Sequence, residues 1–86
     1  MKTQEIFDQF VQLIKKYVKD VQKLETATME TKIIDDLKVN SARLVDIIIN
    51  SEDAFDIEID DDDADQIRTI GDVVNVIEHK LRVTAS

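Results

Sequence analysis

Apolar residues recur at steps of three and four along the first part of the chain: Ile6, Phe10, Leu13, Ile14, Tyr17, Val21 and Leu24. That period places them on one face of a helix starting at Thr3. The opposite face carries Lys15, Lys16, Lys19 and Lys23. No proline or glycine stops this helix, so its end is placed near Asp20, with Val21 to Met29 as loop or frayed helix. Residues Glu25 to Asn40 then form a long connection. Thr26 and Thr28 are weak helix formers, and Ile33, Ile34, Leu37 and Val39 are expected to anchor it singly in the core. A connection this long in so small a protein is uncommon and often functional.

The pattern returns to a helical period at Ser41 and holds to about Ala54. Asn40 and Ser41 are both good helix caps. Leu44, Ile47, Ile48 and Phe55 are expected to face inward, with Val45 and Ile49 at the margin. The run Ile47 to Ile49 would also suit a strand, but the spacing on either side is helical. Asp61 to Gln66 reads as a short helix with Ala64 and Ile67 turned inward, its leading acids favoured by the helix dipole. A last helix is expected from Gly71 or Asp72 to Leu81, burying Ile70, Val73, Val74, Ile77 and Leu81, with residues 81–86 as a frayed tail. The sum is an all-α, small four-helix bundle: three longer helices, one short helix and a long first loop.

Composition agrees with this outline. Over 86 residues there is room for a single domain, residues 1–86. One glycine and no proline serve tight turns and strand-rich folds poorly. Hydrophobic residues at 43% and charged residues at 35% suit a globular helical protein.

Charge changes the picture more. The net charge is −8 and the pI about 4.4. Such a field repels nucleic acid and anionic membranes and attracts basic protein surfaces. Nine acidic residues and no lysine or arginine lie between Glu52 and Asp65. The N-terminus lacks the apolar core of a signal peptide, and no aliphatic run could span a bilayer. A cytoplasmic monomer that binds neither nucleic acid nor membrane is expected.

The residues offer little for catalysis. There is one histidine, no cysteine and one glycine. A nucleophile elbow and a glycine-rich phosphate loop are both impossible with a single glycine. His79, near the end of the last helix, suits the helix dipole there. No enzyme activity is expected of this chain alone. An EF-hand loop starting at Asp61 would place Asp61, Asp63, Asp65 and Asp72 as ligands, but Gln66 stands where the sharp turn needs glycine. Starts at Asp56 and Asp60 fail as well, and no metal site is expected. The acidic run is either a solvated face or a docking surface for basic partners. Ser41 by itself reads as a cap.

From about Lys32 to Leu81 the chain resembles the acyl carrier protein family. Asp36-Leu37, Ser41, Phe55-Asp56-Ile57-Glu58-Ile59, Ala64, Ile67 and Thr69-Ile70-Gly71-Asp72-Val73 match that family's motifs in order and spacing. The resemblance implies a 4′-phosphopantetheine arm, transferred from coenzyme A to the Ser41 hydroxyl by a phosphopantetheinyl transferase. It further implies a thioester-bound acyl cargo, sheltered in a slot among Ile47, Ser51, Ile59, Ile67 and Ile77. Partners with basic patches would be acyl-transferring, ketosynthase-type or acyl-activating enzymes of fatty acid, lipid or polyketide-type biosynthesis. They would dock on Arg43, Asp46, Glu52, Asp53, Asp61 and Asp62.

The chain departs from the family pattern at several points. Asn40 replaces the acid before the serine, Ala42 the leucine after it, Lys38 a glycine and Asp60 a proline. Arg43 stands where an acid is common, and Ser51 where leucine is usual. These departures point to a specialised carrier with dedicated partners. An unmodified carrier-like interaction module, or an aminoacyl or peptidyl carrier, are the alternatives.

Overall fold

The computed structural model describes residues 2–85, with side chains through residue 82. Helix α1 spans Thr3–Ile14, and a 3₁₀ turn at Lys15–Tyr17 closes it. A single helical turn, α2, covers Gln22–Glu25. After the long connection, a 3₁₀ turn at Ser41–Arg43 leads into α3, Leu44–Phe55. Helix α4 is short, Asp61–Asp65, and α5 runs Ile70–Ala85. No strand forms among the described residues; the one β-bridge joins Lys32 to Thr69.

Three long helices share one core. Helix α1 contributes Ile6, Phe10 and Ile14, α3 contributes Ile47 and Phe55, and α5 contributes Ile70, Val73, Val74 and Ile77. Each such aliphatic or aromatic side chain is worth about 1.5–3 kcal/mol on full burial. The connections supply the rest: Ile33, Leu37 and Val39 from the long one, Ile57 and Ile59 from the segment after α3.

The first helix ends earlier than its apolar period suggests. At Val18 the backbone is extended, and that break changes which valine faces in. Val18 is buried while Val21, expected inside, is 42% exposed. Two polar contacts fix the new path. Asn50 donates to the Tyr17 hydroxyl, and the Asp20 carboxylate accepts the Gln22 N–H at 3.1 Å, starting α2 so that Leu24 returns to the core. The last helix, conversely, outruns the expectation and continues as helix to Ala85, where a frayed tail was anticipated; Ser86 lies outside the described residues.

The long connection is tied down along its length. The Asp36 carboxylate accepts the Lys32 N–H at 2.8 Å, closing a local turn. Next to it the backbone of residues 29–33 runs against residues 68–71. Ile33 N–H donates to the Arg68 carbonyl at 3.1 Å, Ile70 N–H to the Thr31 carbonyl at 2.9 Å, and Gly71 N–H to the Met29 carbonyl at 2.7 Å. Gly71 is required by that approach: a Cβ there would lie 2.6 Å from the Met29 carbonyl oxygen. Lys38 adopts a left-handed conformation, φ 57°, just before the chain enters the Ser41 turn.

Candidate functional site

The site is the junction between that connection and α3. The Asn40 side chain accepts the Ala42 N–H at 2.9 Å, while its carbonyl accepts the Arg43 N–H at 2.8 Å. Leu44 N–H donates to the Ser41 carbonyl. So the capping falls to Asn40, and Ser41 is relieved of it. The Ser41 side chain is exposed and makes no hydrogen bond to any described residue. The three amides that follow this serine are all engaged within the turn.

A hydroxyl with neither partner nor cover is accessible to a modifying enzyme, and the residues around it fit a phosphodiester. Lys38 and Arg43 lie three residues before and two after it in sequence, both exposed. Arg43 also holds Asp46 at 3.0 Å, an exposed pair of small energetic weight.

The outer face of α3 carries exposed apolar residues that sequence reasoning placed only at the margin. Val45 is 59% and Ile49 49% exposed, and Ala42 precedes them at helical spacing. Their signal was the 42, 45, 49 spacing, which runs out of phase with the buried Ile47, Ser51 and Phe55. Asp53, Asp61 and Asp62 are exposed and free of ion pairs with described residues. Glu52 differs: its carboxylate accepts the Ile59 N–H at 2.8 Å and its carbonyl the Ile57 N–H at 3.1 Å, shaping the turn after α3.

The acids of α4 likewise divide by role. Asp60 caps the helix, accepting the Asp63 N–H at 2.9 Å, and that bond holds its carboxyl below the usual range. Asp63 pairs with Lys80 at 3.1 Å, which raises the lysine. Among the described residues no three carboxylates or imidazoles group as metal ligands.

The residues expected to line the acyl slot are packed in the core. Ile47, Ser51 and Ile77 are fully buried, Ile59 is buried at the core's edge, and the Ser51 hydroxyl donates to the Ile47 carbonyl at 2.8 Å. Ile67 of that set lines a cavity. This is a groove of about 470 Å³ whose walls are Ile33, Ile34, Leu44 and Ile67, with Lys32, Asp35 and Arg68 around it. Leu44 lies one turn beyond Ser41, so the groove opens beside the candidate attachment point.

Comparisons with known proteins bear on the family and the fold. Residues 12–77 match the family described as "Phosphopantetheine attachment site". The fold matches a solved structure of the acyl carrier protein from Enterococcus faecalis with a TM-score of 0.76, at 28% identity, over 93% of this chain and 99% of that one. No curated protein matches the chain in sequence. The chain belongs to the acyl carrier protein family, whose members bear a covalently attached 4′-phosphopantetheine. It is a carrier and not an enzyme. No helix among the described residues is long and apolar enough to cross a membrane.

Proposed function

We propose that Ser41 is the attachment point and that this chain carries acyl groups for lipid, fatty acid or polyketide-type biosynthesis. The carrying observation is the state of the Ser41 hydroxyl: exposed, unpartnered and spared from capping by Asn40. In the transfer, Ser41 Oγ bonds to the phosphorus that bears pantetheine, the phosphoanhydride bond of coenzyme A breaks, and the nucleotide leaves. The hydroxyl proton goes to the transferase. Once in place the group supplies a terminal thiol for thioester linkage. Lys38 and Arg43 offset the phosphodiester charge, and the turn beneath Ser41 keeps the tether clear of the core.

Partner enzymes dock on the outer face of α3 and on α4. Val45 and Ile49 give an apolar contact, and Asp46, Asp53, Asp61 and Asp62 steer a basic surface towards it. Arg43 inverts the charge at the top of that face, and Ala42 shortens its apolar edge. Both support dedicated partners, so generic fatty-acid enzymes are expected to turn over this carrier poorly.

Intact mass after incubation with coenzyme A, magnesium and a panel of phosphopantetheinyl transferases, one of them from the same organism, tests the attachment. A mass gain that disappears in Ser41→Ala is expected. An unchanged mass with every transferase would leave an unmodified interaction module as the better reading.

A further inference from the structure

We infer that the groove between the end of the first helix and the second half of α3 takes an acidic segment of a partner protein, gripped by Lys15 and Lys16. Such a contact holds the carrier without covering Ser41. The groove has a volume of about 680 Å³; Leu13 and Ala54 line it together with Lys15, Lys16 and Asp53. Neither ammonium forms an ion pair with a described residue. Lys16 is nevertheless placed: its Nζ lies 5.2 Å from the centre of the Tyr17 ring, and the Tyr17 hydroxyl accepts from Asn50 of α3. A cation set over a pinned ring has less freedom to lose when a carboxylate reaches it. Other exposed cations are already engaged: Arg43 with Asp46, Lys23 with the Asp36 carbonyl at 3.3 Å, and Arg68 with the carbonyls of Asp65 and Ile67. Lys32 and Lys38 each line a pocket that Asp35 also lines.

The occupant follows from the pattern of sign. Asp53 lines the same groove and is likewise unpaired. A uniformly anionic surface, such as a layer of lipid headgroups, would meet that carboxylate with like charge, and the net charge of −8 adds to the repulsion. A polypeptide can set carboxylates on the two lysines and a base on Asp53, with an aliphatic side chain against Leu13 and Ala54. Position gives the contact its use. Asn50 and Ala54 lie nine and thirteen residues beyond Ser41. At a helical rise of about 1.5 Å per residue the groove is roughly 15 Å along the axis from the hydroxyl. A partner held there leaves Ser41, and any arm on it, open to enzymes. That use rests on the carrier reading of Ser41; the contact itself does not.

The probe is a labelled peptide of two glutamates, a leucine and an arginine, followed by fluorescence anisotropy and by NMR shifts of the Leu13 and Ala54 methyls in the full chain. Lys15→Gln with Lys16→Gln should weaken binding by about fivefold, the size of two part-exposed ion pairs. Lys19→Gln with Lys23→Gln should change it by less than about twofold. Either single substitution at Lys15 or Lys16 shows part of the loss should the pair fail to fold. Equal binding by wild type and the Lys15, Lys16 variant, absence of binding included, overturns the inference. So does an equal loss in the Lys19, Lys23 variant, or an unchanged affinity once the peptide's glutamates are replaced by glutamines. Phosphatidylglycerol vesicles that sediment wild type but not the Lys15, Lys16 variant would overturn it in favour of a membrane. Ser41→Ala should bind the peptide as wild type does, so a chain that never accepts phosphopantetheine overturns the carrier reading and leaves this contact standing.

Discussion

Two segments of this chain place a hydroxyl residue just ahead of an apolar helix, at Thr69 and at Ser41, and they are built to opposite ends. At Thr69 every polar atom is consumed. Its hydroxyl accepts the Asp72 N–H at 3.1 Å, and the Asp72 carboxylate accepts the N–H groups of Arg68 at 2.9 Å and Thr69 at 3.0 Å. This reciprocal arrangement is a capping box with aspartate in place of glutamate. Gly71 then packs against Met29, locking the long connection to the start of α5. At Ser41 the cap is Asn40 and the serine hydroxyl stays idle. Similar residues therefore serve stability at one junction and availability at the other, and the hydrogen-bond accounting tells them apart.

The largest effect is expected where the locked junction is forced open. Gly71→Ala drives a methyl against the Met29 carbonyl oxygen, a backbone atom that cannot turn aside. Overpacking of this kind costs about 2 kcal/mol, or roughly 10 °C in melting temperature for a chain of this length. A melting temperature within a degree or two of wild type would show that the connection is not held at this point.

The capping box comes next. Thr69→Ala should cost about 1 kcal/mol, measured by urea denaturation. Asp72→Asn tests the same box through pH. Burial pushes the Asp72 carboxyl up, but the N–H bonds from Thr69 and Arg68 outweigh it and hold it below its ordinary value. Its folded pKa is thus lower than its unfolded one. The stabilisation is complete above the ordinary carboxyl range and is lost as pH falls through the folded value, below about pH 4. Wild type should lose more stability than Asp72→Asn between pH 5 and pH 3, a window of roughly two units around that range. Parallel losses in the two proteins would mean that the carboxylate charge adds nothing to the box.

How much of this was legible follows from what kind of information each feature carries. The α3 and α5 faces were readable because Ile47, Phe55, Ile70, Val73, Val74 and Ile77 repeat at helical period and are all buried. The end of α1 was not. With no glycine or proline near Val18, the break rests on tertiary contacts such as Asn50 to Tyr17, which no local pattern announces. The split of the acids into braces (Glu52, Asp60, Asp63) and free charges (Asp53, Asp61, Asp62) was equally hidden, since it depends on which amide or lysine each one meets. Ser41 itself was readable only through resemblance to a family; as a lone residue it looks like a cap.

Lys38 gives a smaller test of the open junction. Its φ of 57° is a conformation that glycine adopts freely and lysine does not. Lys38→Gly should relieve that strain while adding freedom to the unfolded chain, for a net gain of about 0.5 kcal/mol. The same change removes a cation three residues before the proposed attachment serine, and transfer of phosphopantetheine should slow by about twofold to fivefold, as expected of an exposed charge contact. A stability gain with unchanged transfer would reduce Lys38 to a tolerated strain.

The smallest effect on stability is expected from the residue that matters most to the proposed function. Ser41→Ala removes a hydroxyl that accepts nothing and donates nothing within the described chain, and alanine suits the turn as well as serine does. Its folding free energy should stay within about 0.5 kcal/mol of wild type, half or less of the change at Thr69. The contrast between the two substitutions carries the argument. If the hydroxyl of Ser41 were an overlooked cap, both variants would lose comparable stability, and the reason for leaving that oxygen bare to a transferase would vanish. If Ser41→Ala folds as wild type and yet gains no mass with coenzyme A, the junction has been kept open for chemistry at the surface.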